Sequence, residues 1–307
     1  MNDRWDCIVV GGGAAGLSAA LTLGRARQRT LLIDAREPSN RTVEGMGGLL
    51  GHDGQPSEEL YRAGREELSK YSSVEARVGQ VTGGTVTDDS FQLELQDGSH
   101  ETARKVLLAI GMDYRHPELP GATERWGRSL FHCPFCHGWE VRDKALGVLD
   151  PGPRGAERAL LLRFWSDDVT LYTDGNTDME AEDADRLMQA KVGIEERVVL
   201  ELRGHAPALE AVVFEDGGER DCEGLLVPAP MVQRSSLAEQ LGARLATDAS
   251  IEWVEVDGMF RTSVPGLYAA GDASATTPPS VATAIAAGST AGKAIVHDFV
   301  EELYPAR

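Results

Sequence analysis

The chain has 307 residues, and its 49 acidic residues outnumber its 30 lysines and arginines, which gives a formal charge of -19. This length predicts two domains, each large enough to bury its own core. The excess of negative charge disfavours binding to nucleic acid or to anionic membranes. The longest uncharged stretches, residues 7–24 and 273–292, are rich in Gly, Ser, Thr or Pro, and the N-terminus has no signal-peptide pattern. We therefore expect a cytoplasmic protein without nucleic-acid or membrane partners.

The N-terminal segment has the pattern of a dinucleotide-binding unit. A β-rich run, Cys7–Val10, leads into glycines at positions 11, 13 and 16 and then into a helix-forming sequence. We expect Gly11 to make a tight turn, Gly13 to let the backbone approach a pyrophosphate, and Gly16 to allow close helix packing. Asp34 ends the next strand 18 positions after Gly16, where it can bond a ribose hydroxyl. A glycine-rich loop without function is the alternative, but it does not explain why a strand, three spaced glycines, a helix and an acidic residue occur in this order.

Two later segments, Lys105–Gly111 and Gly266–Asp272, each run from an apolar strand into a glycine. Both resemble strand motifs of two-dinucleotide flavoprotein reductases. That resemblance implies that Gly271 approaches a flavin and that Asp272 binds its ribityl chain. For Asp272 alone, a turn or a helix cap is the alternative interpretation.

The region between these segments has its own strand, loop and helix start at residues 145–155, followed by another strand at 168–173. We therefore predict an α/β fold with two dinucleotide-binding, Rossmann-like domains, the second inserted into the first. The discontinuous FAD-binding domain is predicted to span 1–115 and 245–307. The inserted domain is predicted to span 116–244.

Cys133 and Cys136 have CxxC spacing and are flanked by His132 and His137. Metal binding is a minor alternative, because no second CxxC and no histidine pair at finger spacing supply further ligands, and we predict no metal. The spacing suits a disulfide that opens and closes during thiol exchange. A lone histidine is usually structural, but we expect at least one of these two to act as an acid–base catalyst. The remaining cysteines are predicted to be buried core thiols: Cys7 and Cys222.

The order of motifs along the whole chain resembles the low-molecular-weight thioredoxin reductase family. It comprises the glycine fingerprint, the strand ending at Gly111, the linker Leu119–Gly121, the CxxC and the stretch Thr262–Asp272. The resemblance implies FAD as cofactor, a homodimer, Cys133 as the thiol that exchanges with substrate, and Cys136 as the thiol that faces the flavin. It also implies a set of FAD-binding residues: Gly11, Gly13, Ala14, Gly16, Asp34, Ala35, Asn40, Arg41, Asp53, Val81, Ala109, Gly111, Gly271, Asp272, Val281 and Ala282.

The chain departs from this family where NADPH should bind. The loop positions expected to be Gly, Gly and Gly or Ala are Asp150, Gly152 and Gly155, and the carboxylate is expected to repel a pyrophosphate. The clamp for the 2′-phosphate is replaced by an acidic run from Asp174, which leaves NADH less clearly excluded than NADPH. His137 stands where thioredoxin reductases carry an acid–base aspartate.

These departures, together with residues 38–41 and 51–54, resemble the FAD-dependent dithiol oxidases of gliotoxin-, holomycin- and romidepsin-type compounds, which do not use NADPH. Our main hypothesis is an enzyme that oxidises a small-molecule dithiol through the CxxC and FAD, with oxygen as acceptor. The alternative is a reductase of thioredoxin or another protein disulfide, fed by NADH, ferredoxin or a second flavin. A third hypothesis, a non-enzymatic sensor or scaffold, is disfavoured because the CxxC is intact.

Overall fold

The computed structural model describes residues 4–248, 251–274 and 278–305. Its strands are, in chain order, β1 (Trp5–Val10), β2 (Thr30–Asp34), β3 (Val74–Val78), β4 (Val81–Val86), β5 (Phe91–Leu95), β6 (His100–Leu108), β7 (Met112–Tyr114), β8 (Leu130–Phe131), β9 (Leu146–Leu149), β10 (Val169–Tyr172), β11 (Gly193–Glu195), β12 (Val199–Arg203), β13 (Ala211–Phe214), β14 (Glu219–Asp221), β15 (Gly224–Leu226), β16 (Met231–Gln233), β17 (Leu245–Thr247), β18 (Glu252–Val254) and β19 (Leu267–Ala269). Its helices are α1 (Ala14–Arg25), α2 (Ser57–Leu68), α3 (Pro134–His137), α4 (Gly155–Leu162), α5 (Ala181–Gln189), α6 (Leu237–Gln240) and α7 (Val281–Leu303).

The first of two compact units comprises Met1–Arg41, Pro56–Tyr114 and Met231–Arg307. Its main sheet has the strand order β3-β2-β1-β6-β5-β4, with β19 also paired to β6. β1 is parallel to β2 and β6, whereas β5 is antiparallel to its neighbours β4 and β6.

Both faces of β1 are buried. Ile8 and Val10 belong to one hydrophobic cluster, and Cys7 and Val9, which point to the opposite face, belong to another. A strand covered on both faces can be apolar at every position, which explains the continuous apolar run in the sequence. Packing on both faces therefore fixes the end of β1, from which the glycine loop begins.

Helix α7 lies close to α1 because of a glycine. A Cβ at Gly288 would overlap the backbone of Ala15, so a larger residue would force the helices apart. The start of α7 is closed by a capping box, in which Ser280 and Thr283 bond reciprocally. This start contacts the single turn Gly271–Ser274. Neither α7 nor any other helix of the described residues is long and apolar enough to cross a membrane.

The second unit comprises Thr42–Gln55 and Arg115–Pro230. Its main sheet is parallel, with the order β11-β10-β9-β15-β8, and a separate antiparallel sheet contains β12, β13 and β14. The strand, loop and helix predicted at 145–155 are β9 and the start of α4, and the strand predicted at 168–173 is β10. The predicted fold class, α/β with two Rossmann-like units, is confirmed.

The bounds of the second unit differ from the predicted 116–244. The unit ends at Pro230, because the next residues form β16, which pairs antiparallel with β7 of the first unit. The segment 42–55 also groups with the second unit, and a Cβ at Gly47 would lie 2.7 Å from the backbone oxygen of Cys136. The sequence alone does not predict such contacts, because the residues that make them are far apart along the chain.

Candidate active site

The loop between β1 and α1 forms a backbone cradle at the predicted glycines. Gly11 has a φ of +102°, which L side chains rarely adopt, and a Cβ there would overlap the carbonyl oxygen of Ala109. A Cβ at Gly16 would overlap the carbonyl oxygen of Gly11. Gly13 is the N-cap of α1, and a Cβ there would meet no described atom within 4 Å. Gly13 and Ala14 thus form an open helix start, the kind of place where a pyrophosphate binds.

Asp34, at the end of β2, closes the same loop. Its Oδ1 accepts hydrogen bonds from the N–H groups of Gly12 at 3.2 Å and Arg36 at 2.9 Å. The Arg65 guanidinium lies 4.0 Å from its Oδ2. A carboxylate can accept about four hydrogen bonds, so Asp34 retains capacity for the predicted ribose hydroxyl. Ala35, the next residue, is exposed.

Asp272 lies in the turn Gly271–Ser274, directly after β19. A Cβ at Gly271 would lie 2.9 Å from the Cβ of Ala15, which places the turn against the start of α1. Oδ2 of Asp272 accepts a hydrogen bond from the Tyr114 hydroxyl at 2.8 Å. Burial raises the pKa of Asp272, and the hydrogen bond from Tyr114 opposes that rise. The carboxylate therefore bonds a distant side chain.

Three other predicted cofactor residues have different surroundings. Oδ1 of Asn40 accepts a hydrogen bond from the Tyr61 hydroxyl at 3.0 Å, whereas Arg41 is exposed. Asp53 belongs to the second unit, where its Oδ1 accepts a hydrogen bond from the N–H of Gly48 at 2.7 Å. Of these three, only Asn40 and Arg41 lie in the unit that carries the glycine cradle.

The remaining predicted residues lie at element ends in the first unit. Val81 begins β4 with its side chain in the core, so a ligand could reach only its backbone. Gly111 follows β6 with a φ of +68°, and a Cβ there would meet no described atom within 4 Å. Val281 and Ala282 form the first turn of α7, where unsatisfied N–H groups are available to a ligand.

These features fit the predicted FAD. The missing Cβ atoms of Gly13 and Gly111 leave open space for close approach of a ligand. The carboxylates of Asp34 and Asp272 offer acceptors for hydroxyl groups of a ribose and a ribityl chain. The first unit would hold the cofactor through these groups.

In the second unit, Cys133 and Cys136 form a disulfide whose Cα atoms are 5.3 Å apart. Cys133 is the N-cap of α3, and its carbonyl oxygen accepts hydrogen bonds from the N–H groups of Cys136 and His137, each at 3.2 Å. This local turn brings the sulfurs together, as the CxxC spacing predicts. Cys7 and Cys222 are buried free thiols, as predicted.

The two flanking histidines have different environments. His132 stacks on Trp126 with ring centroids 5.5 Å apart, and the residue is exposed. His137 stacks on Phe131 at 5.7 Å, and its Nε2 lies 3.2 Å from the carbonyl oxygen of Gly127. If Nε2 donates to that oxygen, Nδ1 is the basic atom of the ring. Nδ1 is buried and has no hydrogen-bond partner in the part of the chain that the structure describes.

The pKa of each histidine is lowered. For His137, burial lowers the pKa, opposed by Glu140 and by the nearby carbonyls of Cys133 and Gly127. For His132, desolvation by surrounding atoms lowers the pKa and nearby His137 adds to the effect. The His132 side chain is exposed, so water limits this lowering. Both rings are therefore neutral near pH 7, which is the form of histidine that can accept a proton.

Exposed aromatic side chains lie beside the disulfide. Phe135 is 71 % exposed and Trp139 is 66 % exposed. Phe135 packs edge-on against Trp165 at 5.3 Å, and the Arg142 guanidinium lies 3.9 Å from the centre of the Trp139 ring. Apolar surface of this kind often marks an interaction site.

The family model described as pyridine nucleotide-disulphide oxidoreductase matches residues 5–288. The chain belongs to this family. Thioredoxin reductase tcpT of Claviceps purpurea is 32% identical to it, over 94% of this chain and 92% of that protein. Among solved structures, the oxidoreductase from Agrobacterium tumefaciens has a TM-score of 0.92 at 34% identity, covering 99% of this chain and 100% of that one. HlmI has a TM-score of 0.89 at 36% identity, covering 98% of this chain and 94% of that one.

These similarities confirm the predicted resemblance to thioredoxin reductases and the predicted enzyme class. The chain is a thioredoxin reductase-like thiol–disulfide oxidoreductase of a family that is generally FAD-dependent.

This pyridine nucleotide-disulphide oxidoreductase has an altered loop between β9 and α4. Asp150 is only 5 % exposed, its Oδ1 accepts a hydrogen bond from the Gly152 N–H at 2.9 Å, and its Oδ2 pairs with Arg158. The expectation of a repelling charge is therefore corrected, because Arg158 compensates the carboxylate. The carboxylate instead accepts the hydrogen bond of the Gly152 N–H, a backbone group that such a loop could otherwise donate to a phosphate. Asp174 is likewise engaged, accepting a hydrogen bond from the Val199 N–H at 2.8 Å.

Sequence reasoning missed three side chains that organise these sites. Arg158 could have been found, since it follows Asp150 by eight positions on the helix that the loop begins. Tyr61 and Tyr114 gave no signal, because their partners Asn40 and Asp272 are 21 and 158 positions away.

Proposed function

We propose that this chain is an FAD-dependent dithiol oxidase. It converts a small-molecule dithiol into its disulfide through Cys133 and Cys136, with oxygen as the acceptor and without NADPH. The observation that carries the proposal is the loop in which Asp150 takes the Gly152 amide and pairs with Arg158. A loop filled by its own carboxylate lacks the anion site that NADPH needs. The Cys133–Cys136 disulfide is present although the NADPH site is altered, so we expect the electrons that reduce it to come from a donor other than NADPH. A dithiol is suited to this role because it can reduce a disulfide by thiol exchange.

We assign FAD to the first unit. Gly11, Gly13 and Gly16 would shape the pyrophosphate site, Asp34 would accept from a ribose hydroxyl, and Asp272 would accept from the ribityl chain. When bound, FAD supplies a two-electron acceptor for the reduced cysteine pair and delivers those electrons to oxygen, which yields hydrogen peroxide.

The exchange itself needs only the cysteine pair and the two substrate thiols. One substrate thiolate attacks Sγ of Cys133, the Cys133–Cys136 bond breaks, and Cys136 leaves as a thiolate. The second substrate thiolate then attacks the substrate sulfur of the mixed disulfide, and Cys133 leaves. The substrate has lost two electrons and two protons, and the cysteine pair has gained the two electrons.

His132 and His137 are the groups that we propose to accept the substrate protons. Both have a lowered pKa, chiefly because neighbouring atoms desolvate the charged form, so both rings are neutral at neutral pH. They flank the cysteines along the chain, and Nδ1 of His137 has no hydrogen-bond partner within the described residues. A thiol must lose its proton before it can attack, so a nearby base speeds the first step.

Flavin bleaching without oxygen tests this proposal. FAD-loaded protein is mixed anaerobically with dithiothreitol or with NADPH, and the flavin absorbance is followed. We expect bleaching by the dithiol and none by millimolar NADPH, with the colour returning and hydrogen peroxide forming once oxygen is admitted. Fast bleaching by NADPH would contradict the oxidase and would indicate an NADPH-dependent thioredoxin reductase.

The second candidate is a reductase of thioredoxin or another protein disulfide, fed by a donor other than NADPH. The exposed Phe135 and Trp139 beside the disulfide favour it, because aromatic side chains are enriched in protein interfaces. Oxidised thioredoxin is added to the anaerobic enzyme with NADH or reduced ferredoxin, and its free thiols are counted. Thiol formation with either donor would support the reductase. Its absence, together with peroxide formation from dithiols, supports the oxidase.

A further inference from the structure

The strands β7 and β16 meet at the two points where the chain passes between the compact units. β7 ends at Tyr114, and Arg115 begins the long segment of the second unit, while β16 begins directly after its last residue, Pro230. The two strands pair antiparallel, with Tyr114 opposite Met231 and Met112 opposite Gln233. The last residues of unit 1 before the insertion and the first ones after it are thus held together.

Each of these strands sends one side chain to the turn that carries Asp272. The Tyr114 hydroxyl donates to Oδ2 of Asp272 at 2.8 Å. Nε2 of Gln233 donates to the carbonyl oxygen of Ala273 at 3.1 Å and to that of Glu252 at 3.2 Å. Tyr114 on β7 therefore bonds a side chain of the turn, and the side chain of Gln233 on β16 bonds the backbone of the turn.

Titratable groups near the Asp272 carboxylate come from several elements besides β7. Tyr61 on α2 is the second titratable group that feels Asp272: burial raises the pKa of Tyr61, and the Asp272 charge adds to that rise. Glu252 lies on β18, which contacts the same turn. From Val281 to Gly292, α7 carries no charged residue. The hydrogen bond from the Tyr114 hydroxyl opposes the rise in the pKa of Asp272 that burial causes, so this hydroxyl stabilises the ionised carboxylate.

We propose that Tyr114 is a positioning residue for the flavin, because its hydroxyl fixes the orientation of the Asp272 carboxylate toward the hydroxylated chain of FAD. The inference rests on the proposed function, which assigns FAD to this unit. A carboxylate has about four acceptor positions, so the bond to Tyr114 leaves room for the ribityl hydroxyls. Without that bond the carboxylate would rotate more freely and would lose part of its stabilisation in the ionised form.

Tyr114→Phe tests the role of the hydroxyl with little change in shape. We expect about tenfold weaker FAD binding, since a hydrogen bond to a charged group is lost from an acceptor of the ligand. We also expect the pH at which FAD is released in acid to move upward, because the hydrogen bond that opposes the raised pKa of Asp272 is gone. FAD binding is measured by fluorescence titration of the apoprotein at a series of pH values.

Tyr268→Phe is the matched control. It removes another buried tyrosine hydroxyl of the same unit that donates to a carboxylate, Asp298, near the far end of α7. A loss of stability alone would affect both variants, whereas the shift in FAD release should appear only for Tyr114→Phe. Equal FAD affinity and equal release pH in the two variants would overturn the inference.

Asp272→Asn provides a second measurement that does not depend on how well Tyr114→Phe folds. If Tyr114 acts through Asp272, adding Tyr114→Phe to Asp272→Asn should change FAD affinity much less than in the wild type. Fully additive effects would contradict the inference. If the wild type itself binds no FAD, the proposed function fails. If the wild type binds FAD and Tyr114→Phe matches it, only the role of Tyr114 fails.

Discussion

Cys133 and Cys136 are close because one turn of α3 joins them, and serine has nearly the size of cysteine, so each can be replaced with little change to this turn. We expect Cys133→Ser and Cys136→Ser each to abolish dithiol oxidation while FAD stays bound, because exchange requires both sulfurs. Turnover is measured as oxygen consumption with dithiothreitol, and bound FAD by absorbance. Cys222→Ala, which removes a buried thiol elsewhere in the second unit, should keep turnover. Near wild-type rates in either serine variant would remove the redox role of the pair.

The lowered pKa of His137 predicts that the stability of the second unit depends on pH. Burial lowers its pKa in the folded protein, so below the ordinary value of about 6.5 the unfolded chain binds more protons than the folded one. Stability should therefore fall as the pH falls through this window. We expect the loss of unfolding free energy between about pH 7.5 and about pH 5.5 to be smaller in His137→Asn than in the wild type, by urea unfolding.

The exposed His100→Asn is the control for this experiment and should retain the wild-type loss. A pH dependence in His137→Asn as steep as that of the wild type would show that another group is responsible.

In the loop from β9 to α4, the Asp150 carboxylate accepts a hydrogen bond from the Gly152 N–H and pairs with the Arg158 guanidinium. Asp150→Asn should lower the unfolding free energy by about 1–2 kcal/mol, because a largely buried ion pair loses one charge while Arg158 keeps partial access to water. It should not restore NADPH binding, since Pro151 and Pro153 also shape the loop. Chemical unfolding measures the first effect and calorimetric titration with NADPH the second.

Arg154→Gln is the control in the same loop. Its ion pair with Glu157 is 3.6 Å long and both side chains are 69% exposed, so its removal should change stability by less than about 0.5 kcal/mol. Micromolar NADPH binding by Asp150→Asn would show that the charge alone excludes the nucleotide.

At the scale of the whole molecule, the FAD that we propose for the first unit should contribute to stability, because a ligand of the folded unit does not bind the unfolded chain. Saturation at about a thousand times the dissociation constant corresponds to about 4 kcal/mol. We expect removal of FAD to lower the unfolding temperature and added FAD to restore it, measured by calorimetry. NADPH at the same concentration is the control and should leave the unfolding temperature unchanged.

The proposed homodimer can be tested through the charge of the chain. Two subunits with a formal charge of -19 each repel one another, and salt screens that repulsion. We expect sedimentation equilibrium to give twice the mass of the chain, with association strengthened by added salt. A single-chain mass at every salt concentration would exclude the homodimer.

The sequence by itself determined the features whose parts lie close together along the chain. Gly11, Gly13 and Gly16 set a strand, turn and helix through their own backbone freedom and small size, and Cys133 and Cys136 close a disulfide across one turn. The local backbone geometry at these positions follows from the residue types themselves. The fold class follows for the same reason, since alternating strand and helix patterns lead to parallel sheets.

Only the tertiary structure decided which distant groups meet. The bond from Tyr114 to Asp272 spans 158 positions, and the segment around Gly47 joins the second unit by packing on Cys136. The charge of Asp150 and the position of Arg158 eight residues later were both present in the sequence, but only the structure shows that the two side chains pair. Such contacts depend on how strands and helices are arranged in space, and no local backbone preference encodes that arrangement.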